Sequence, residues 1–411
     1  MPQNVLVLNY DDSRGGGVVW TSAKELQDIG FNIFELSLIR TRISTKNFFV
    51  DVIRKNTISY ILFKLKVYFF NRLFLFINKK KNYCFMSKGK AYVSADDILQ
   101  KCPFIPDYIL IGWYDYFLSP KTIFDLYCKT GTSIIISMID EFVIAGGCHY
   151  PFECTNYMIG CMDCPSISLN KKIAVRTYKN KMRYWTNMPM HIVATSYDLN
   201  RAKLVPYLKN KSMHRLVGTP TIPFVLEKES ARKTFNINIT DFVIMAGVTN
   251  ISDKRKGVLE LVGALNLLAC KIDENKRITL LLLGNGSDLP FIDDRINVIL
   301  TGYLDKKGLY SAYYACDIFA SPSLDDSGPY TVNYSIACGR PVVSFPIGVA
   351  LDLVIPQKTG YLAKYKNIQD MADGFYEFYR MDKKQLLLYQ DNCLSLIDKF
   401  RGEHWYSFML K

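Results

Sequence analysis

Three consecutive cations, Lys254, Arg255 and Lys256, stand between an apolar run and an apolar helical stretch. Gly257 follows them, and the pattern predicts a helix from Val258 to Leu268. Cations at the start of a helix oppose its dipole, so three of them make sense where an anion neutralises their charge. A pyrophosphate is the obvious anion, and a solvated loop is the alternative interpretation.

Three glycines, Gly15, Gly16 and Gly17, come shortly after the first apolar run and open a predicted helix near Val18. Glycines let the backbone approach a ligand closely, and the start of a helix presents free amides to an anion. The spacing G-x-G-x-x-G of an ordinary dinucleotide site is absent. The segment predicts a phosphate-binding turn, with a plain flexible turn as the alternative.

A polar turn over residues 321–330 separates a predicted strand from a helix that contains Asn333 to Cys338. It carries two adjacent carboxylates, Asp325 and Asp326, with Gly328 close behind. Acidic side chains beside a flexible turn at the carboxyl end of a strand lie where open α/β sheets bind ligands. We therefore expect this turn to border a ligand site.

Four cysteines, Cys148, Cys154, Cys161 and Cys164, have the spacing C-x5-C-x6-C-x2-C. The closing C-x2-C is a good zinc half-site, and four thiolates in so short a stretch could close a tetrahedral structural zinc site. The opening spacing is looser than that of the usual zinc knuckle, so reduced cysteines packed in a loop are the alternative. No cofactor is expected for catalysis.

Short β-rich runs alternate with longer helical stretches, a βαβ rhythm that predicts an α/β fold with two parallel sheets. The predicted strands are Val5–Leu8, Asn32–Leu36, Tyr108–Ile111, Ser133–Met138, Ile192–Thr195, Phe242–Ala246, Ile278–Leu283, Val298–Leu300, Ile318–Ala320, Pro341–Phe345 and Tyr361–Ala363. A proline-bearing region between the two series predicts a linker. We place an N-terminal domain at 1–205, the linker at 206–230, a second domain at 231–394, and at about 395–411 a C-terminal helix that crosses back to the first domain.

The composition of the 411 residues is that of an ordinary globular protein, with a net charge of +13 that favours a polyanionic partner. No secretory signal precedes the first strand, so the eleven cysteines are expected to be reduced in the cytoplasm. The apolar stretch Ile58–Ile77 holds Lys64, Lys66 and Arg72, which makes a membrane span unfavourable. Its aromatics and basic flanks suit an anionic membrane surface, and a pair of core helices is the alternative.

The cationic turn, Pro322-Ser323, the acidic turn, Ala337–Val343 and Lys358–Tyr361 together resemble the retaining glycosyltransferases of family 4. The resemblance is closest to bacterial polysaccharide-type members with a Gly-Gly-Cys-His-Tyr motif, which stands here at residues 146–150. It implies a GT-B fold, with two Rossmann-like domains facing each other across a cleft. It also implies a cytoplasmic hexosyltransferase that moves a sugar from a UDP- or GDP-sugar to a glycan or lipid-linked acceptor, in the synthesis of lipopolysaccharide, capsule or exopolysaccharide.

The resemblance also assigns residues on the donor side. It implies that Lys256 holds the donor diphosphate and that Asp326 orients the donor sugar. The family's arginine falls on Val248 or Asn250, and we expect Arg255 to compensate for it. The family's second carboxylate, which holds the ribose, falls on Tyr334, and a phenol cannot act as a carboxylate. The donor-binding residues that the resemblance implies are Gly15, Gly16, Gly17, Gly247, Arg255, Lys256, Gly284, Tyr303, Leu304, Asp326, Gly328, Tyr330, Thr331 and Tyr334.

On the acceptor side the resemblance implies a His-Asp pair, which reads Ile139-Asp140 here, so the histidine is absent. Asp140 and His149 are then candidates for positioning the acceptor, and each is equally compatible with a structural role. Asp140 completes a candidate catalytic set with Asp326 and Lys256.

Three rival interpretations remain. A catalytically degenerate GT-B scaffold, or a sugar-nucleotide-binding protein in a membrane-associated assembly, is suggested by Ile139 and Tyr334. A GT-B epimerase or phosphorylase would need residues or a length that the chain lacks. Nucleic-acid binding rests on net charge alone, since the basic residues are spread along the chain, and we expect no such partner.

Overall fold

The computed structural model of the chain describes residues 2–11, 16–39, 49–51, 84–85, 93–273 and 277–410, with single positions at 58, 61, 62, 65, 89 and 91. These residues form two compact units. The first comprises 1–194, 198–216 and 405–411, and the second comprises 195–197 and 217–404. The boundary at 216 and 217 falls inside the predicted linker.

The first unit is built on a seven-stranded parallel sheet with the order β3-β2-β1-β5-β6-β8-β9. Its strands are β1 (Asn4–Asp11), β2 (Asn32–Ile39), β3 (Phe49–Asp51), β5 (Tyr108–Ile111), β6 (Ser133–Ser137), β8 (Met190–Ala194) and β9 (Ser212–Arg215). A small antiparallel pair consists of β4 (Cys84–Phe85) and β7 (Cys148–Tyr150). The helices are α1 (Gly16–Asp28), α2 (Ala95–Leu99), α3 (Pro120–Thr130), α4 (Lys172–Trp185) and α5 (Ser196–Ala202). The first two residues of α5 are assigned to the second unit.

Local sequence sets the limits of these helices. In α3, Ser119 caps the first turn by accepting from the amide of Thr122, and Pro120 occupies the first helical position. Gly131 ends the same helix with φ at +65°, a left-handed value that glycine adopts without strain.

The second unit is built on a six-stranded parallel sheet with the order β12-β11-β10-β13-β14-β15. Its strands are β10 (Phe242–Asn250), β11 (Ile278–Asn285), β12 (Ile296–Leu300), β13 (Ile318–Ser321), β14 (Val342–Ser344) and β15 (Gly360–Leu362). The helices are α6 (Lys228–Thr234), α7 (Val258–Ala269), α8 (Lys306–Ala315), α9 (Tyr330–Ala337), α10 (Ala350–Leu353), α11 (Ile368–Tyr379) and α12 (Lys383–Arg401).

Both sheets are buried on their two faces, which is why their strands read as continuous apolar runs. In β1, Leu6 and Leu8 belong to one buried cluster, whereas Val5 and Val7 belong to another. The second unit shows the same alternation along β10, because successive side chains of a strand point to opposite faces. Every predicted strand and the α/β fold class are confirmed.

The C-terminal assignment was wrong in one respect. The segment assigned to the first unit is 405–411, whereas α12 belongs to the second unit. The reason is packing: Cys393, Ile397 and Phe400 of α12 join the buried cluster that contains Ile336 of α9. A helical period shows that a face is apolar but does not show which sheet will bury it.

Within the described part of the chain, no helix combines the length and the apolar character that a bilayer crossing requires. Most of the stretch Ile58–Ile77 lies outside the described residues, apart from four exposed helical positions, Ile58, Ile61, Leu62 and Leu65.

Candidate functional site

A cavity of about 320 Å³ opens at the carboxyl end of the second sheet. The chain runs from β10 to β11 and β12 on one side and then returns to β13 on the other, so the strand order reverses between β10 and β13. Open α/β sheets bind ligands at such a reversal. The lining residues are Gly247, Val248, Thr249, Lys256, Leu283, Gly284, Gly302, Tyr303, Leu304, Leu309, Asp326, Gly328, Pro329, Tyr330, Thr331 and Tyr334.

The cationic turn reaches this cavity because it packs directly on the loop after β13. Residues 254–256 form a single 3-10 turn, capped by Asp253, whose carboxylate accepts from the amide of Arg255. Gly257 then adopts φ +67°, and a Cβ there would lie 1.9 Å from the carbonyl oxygen of Pro322. The carbonyl of Arg255 in turn accepts from the amide of Leu324 at 2.8 Å. A glycine is therefore required for this close approach.

Two of the three cations of the turn bind the same carboxylate oxygen. Lys256 Nζ lies 2.5 Å and Arg255 Nη1 lies 2.8 Å from Asp326 Oδ2. The amide of Gly328 also donates to this carboxylate. Burial alone would raise the pKa of Asp326, but the attraction of Lys256 and Arg255 prevails and lowers it.

Two cations and two carboxylates meet in this group, because Arg255 Nη2 also lies 3.4 Å from Asp253 Oδ2. The side chains of Arg255, Lys256 and Asp326 are 14%, 16% and 9% exposed, whereas that of Asp253 is 39% exposed. Such partial burial strengthens electrostatic interactions relative to bulk water. Since Lys256 and Asp326 line the cavity, this end suits an anionic group such as a diphosphate.

The opposite end of the cavity is apolar. Leu283, Leu304 and Leu309 line it, and the ring of Tyr303 is 80% exposed beside them. Gly284 adopts φ +140°, and a Cβ at this position would meet the carbonyl oxygen of Val248 at 2.1 Å. The cavity can therefore hold a ligand that is anionic at one end and flat or apolar at the other.

Tyrosines form the wall between the two ends. Tyr334 lies one turn after Tyr330 on α9, and their rings meet edge to face with centroids 5.2 Å apart. The hydroxyl groups of Tyr334 and Tyr310 are hydrogen bonded, and their rings are 5.8 Å apart. Burial raises the pKa of both phenols, so both are neutral at physiological pH. Sequence reasoning missed Tyr310, because it lies on α8 without any motif.

The structure gathers most of the predicted donor-side residues around this cavity, and Arg255 joins them through Asp326. The glycine-rich turn is different: Gly15 lies outside the described residues, and Gly16 and Gly17 begin α1 in the first unit. Their part in donor binding stays a prediction. Sequence reasoning missed Thr249 and Leu309, which lie on the lining without a distinctive pattern.

Asp140 and His149 are brought together in the first unit, where Asp115 completes a buried triad. His149 Nδ1 lies 2.5 Å from Asp140 Oδ2, and Nε2 lies 2.9 Å from Asp115 Oδ2. Burial would lower the pKa of His149, but the two carboxylates outweigh it and raise the pKa to about 10. The imidazole is therefore a cation that joins two loops.

This triad has little exposure to solvent. His149 is 2% and Asp140 is 7% exposed, and Asp140 also caps the turn that follows β6 by accepting from the amide of Phe142. Saturated hydrogen bonding and burial favour the structural interpretation, in which the triad fixes loops at the carboxyl ends of β5 and β6.

The four cysteine thiols do not converge on a common centre. The thiols of Cys148 and Cys164 are hydrogen bonded to each other, and this bond lowers the pKa of Cys164 to about 6. Cys161 Sγ accepts from the amide of Gly146 at 3.1 Å. Within the described part of the chain, which includes all four cysteines, no three His, Cys, Asp or Glu side chains are placed to share a metal ion. The structural zinc stays a prediction.

Comparison with known proteins agrees with this architecture. Residues 241–380 match the family described as glycosyl transferases group 1, so the second unit carries a domain of this class. No curated protein matches the sequence.

Solved structures with a similar fold cover nearly the whole chain. Sucrose-phosphate synthase from Thermosynechococcus elongatus has a TM-score of 0.64 at 15% identity, over 97% of this chain and 94% of that one. HepE from Anabaena, solved with UDP-glucose, has a TM-score of 0.55 at 12% identity, over 96% and 94%. A glycosyltransferase from Rickettsia africae has a TM-score of 0.56 at 12% identity, over 100% and 99%. At these identities the likeness shows the fold, which is GT-B.

Proposed function

We propose that the protein is a retaining glycosyltransferase of family 4 that takes a sugar from a nucleoside diphosphate sugar. The observation that carries the proposal is the convergence of Lys256 and Arg255 on Asp326 at the anionic-ligand end of the cavity. The matching group 1 domain spans this whole constellation. The nucleoside occupies the apolar end, where Leu304 and Leu309 lie.

The cations at the anionic-ligand end suit cleavage of the bond between the anomeric carbon and the diphosphate. As the bond from the anomeric carbon to the diphosphate lengthens, negative charge grows on the leaving group and positive charge grows on the sugar. Lys256 and Arg255 stabilise the leaving diphosphate, and the backbone amide of Gly328 is held near the same point by Asp326. Asp326 faces the sugar side and orients it. These groups need little rearrangement, which is the basis of electrostatic preorganisation.

In the proposed mechanism the acceptor hydroxyl attacks the same face of the sugar that the diphosphate leaves, and the leaving phosphate takes the hydroxyl proton. This course requires no protein base. It is compatible with the burial of Asp140 and His149, which hold loops of the first unit in place. Asp140 then acts as a positioning residue rather than a proton acceptor.

The proposed acceptor is a glycan or lipid-linked glycan of a cell-surface polysaccharide, reached at an anionic membrane face. Ile58, Ile61, Leu62 and Leu65 support this proposal, because they recur at the spacing of one helix face and each is at least half exposed. Lys64 and Lys66 flank Leu65 in the sequence and supply charge for anionic lipids. Flotation with anionic vesicles should recover the protein, and vesicles of neutral lipid should recover less. Leu62→Glu should weaken the flotation, and equal recovery from both vesicle types would contradict the membrane proposal.

A thermal-shift screen against nucleotide sugars tests the donor proposal directly. A ligand at a hundred times its dissociation constant adds about 2.7 kcal/mol to the free energy of unfolding. We expect stabilisation by a nucleoside diphosphate sugar, followed by transfer whose product keeps the anomeric configuration of the donor in an NMR spectrum. Stabilisation without transfer to any glycan acceptor would favour the degenerate scaffold, and no stabilisation by any nucleotide would contradict the proposal.

A further inference from the structure

The cavity offers carboxylate oxygens at only one of its ends. Among the described lining residues, Asp326 is the sole acidic side chain, and it is engaged by Arg255 and Lys256. The rest of the wall presents backbone, apolar side chains, the hydroxyls of Thr249 and Thr331, and the phenols of Tyr303, Tyr330 and Tyr334. A ligand that spans the cavity therefore meets neutral groups beyond its anionic end.

Tyr334 occupies the middle of this wall. It lies one helical turn beyond Tyr330, the first residue of α9, and α9 starts two residues after Gly328 at the anionic end. On its other side it contacts Tyr310, the neighbour of Leu309, which lines the apolar end. When the diphosphate lies at Lys256 and the base lies at Leu309, the pentose between them lies against Tyr334.

The hydrogen-bonding capacity of this phenol is already partly used. The hydroxyl of Tyr334 is bonded to that of Tyr310, which is 5% exposed. A hydroxyl has one hydrogen and two lone pairs, whereas a carboxylate accepts from both hydroxyls of a ribose at once. A site built to hydrogen-bond a substrate hydroxyl rejects the analogue that lacks it, because a buried polar group is left unpaired. The Tyr334–Tyr310 pair stays satisfied whichever pentose is present.

We infer that Tyr334 makes the donor site indifferent to the 2′-hydroxyl of the pentose, so that deoxyribonucleoside diphosphate sugars, including thymidine diphosphate sugars, are accepted alongside ribonucleoside ones. The inference rests on the proposed function, since it requires the nucleotide to bind in this cavity. The ion pairs at the diphosphate end cannot distinguish ribose from deoxyribose, so this inference adds a donor class to the proposed function.

Calorimetric titration of the full chain with UDP and with 2′-deoxy-UDP tests this inference. We expect the two dissociation constants to agree within about threefold, a difference of less than about 0.7 kcal/mol. In Tyr334→Glu, a carboxylate faces the pentose, and UDP should be preferred by at least about tenfold. Tyr334→Phe is the matched control, because it removes the hydroxyl without adding charge and should keep the ratio of the wild type.

The possible outcomes separate the inference from the proposal beneath it. A wild-type preference for UDP above about tenfold overturns the inference while leaving a nucleotide site in place. A Tyr334→Phe variant that loses UDP affinity and gains discrimination also overturns it, since the hydroxyl would then be in use on the ligand. Failure of both nucleotides to bind the wild type overturns the inference together with the proposed function.

Discussion

Replacement of Lys256 by alanine removes one of the two cations on Asp326 and should slow sugar transfer strongly while leaving the fold intact. The Lys256 ammonium is 2.5 Å from the carboxylate, and its side chain is 16% exposed. Its position is therefore fixed before the donor binds. Loss of one preorganised charge donor costs about 2.7–4 kcal/mol of barrier, which corresponds to about 100- to 1000-fold in turnover.

The effect on stability should be much smaller. Breaking a buried ion pair costs about 3–5 kcal/mol when it leaves a charge uncompensated. Here Arg255 remains 2.8 Å from the same oxygen of Asp326, so the carboxylate keeps a cation. We expect the free energy of unfolding to fall by less than about 2 kcal/mol.

Lys254→Ala provides the matched control, because it deletes the same charge from an exposed position of the same turn. The assay is the initial rate of transfer at saturating donor, with denaturant unfolding of each variant alongside. Turnover of Lys256→Ala within about threefold of the wild type would refute the assignment of the diphosphate end. Equal losses in both variants would show that overall charge, and not the contact with Asp326, is responsible.

Three further predictions concern stability and metal content. His149→Gln should lower the free energy of unfolding of the first unit by about 3–5 kcal/mol, because the two carboxylates lose their buried cation. The pKa of His149 is raised from 6.5 to about 10 in the folded protein. The difference in unfolding free energy between variant and wild type, measured by denaturation, should therefore be full below about pH 6.5 and should narrow as the pH rises towards 10. Gly257→Ala should lower the free energy of unfolding more than Gly131→Ala, because both residues have a left-handed φ but only a Cβ at position 257 would meet backbone. A smaller loss of stability for Gly257→Ala in urea unfolding would contradict the packing described. Elemental analysis of the purified protein tests the predicted zinc on the cysteines of 148–164: one zinc per chain, removable by a chelator with a lower Tm, would support it, and a metal-free protein would remove it.

The sequence predicted the sheets well because their strands are buried on both faces and read as apolar runs. The short edge strand β9 was missed, since Ser212–Arg215 is polar and only partly buried, and an edge strand needs no apolar run. The site was predictable where residues lie together in the chain, as in the cationic and acidic turns. Lys256 reaches the carboxylate of Asp326 because their turns follow β10 and β13, parallel strands whose carboxyl ends lie at the same edge of the sheet.

The contacts that sequence reasoning could not supply join residues without a motif. Asp115 lies 34 positions before His149, and the 2.9 Å contact joins the loop after β5 to β7, which belongs to a separate two-stranded sheet. Tyr310 and Tyr334 belong to different helices, and neither position suggests a hydrogen bond between phenols. In each case the missing information is which helices and strands are neighbours, which the pattern of one element does not contain.

The distribution of charge in the cavity predicts where the binding energy of a nucleotide is concentrated. Lys256 and Arg255 lie at the proposed diphosphate end, while the wall near Tyr334 and Leu309 is neutral. A second phosphate should therefore add far more affinity than any feature of the pentose or the base. We expect UDP to bind at least about tenfold more tightly than UMP, because one charge-assisted contact contributes about 1.5–3 kcal/mol.

This difference should shrink in Lys256→Ala and persist in Lys254→Ala, when both are measured by titration at a fixed salt concentration. Salt should weaken UDP more than UMP, since the contact is electrostatic. If UMP and UDP bound the wild type equally well, the cations at Asp326 would not be the diphosphate site. Recognition would then have to lie at the neutral end of the cavity, against the charge distribution that the structure shows.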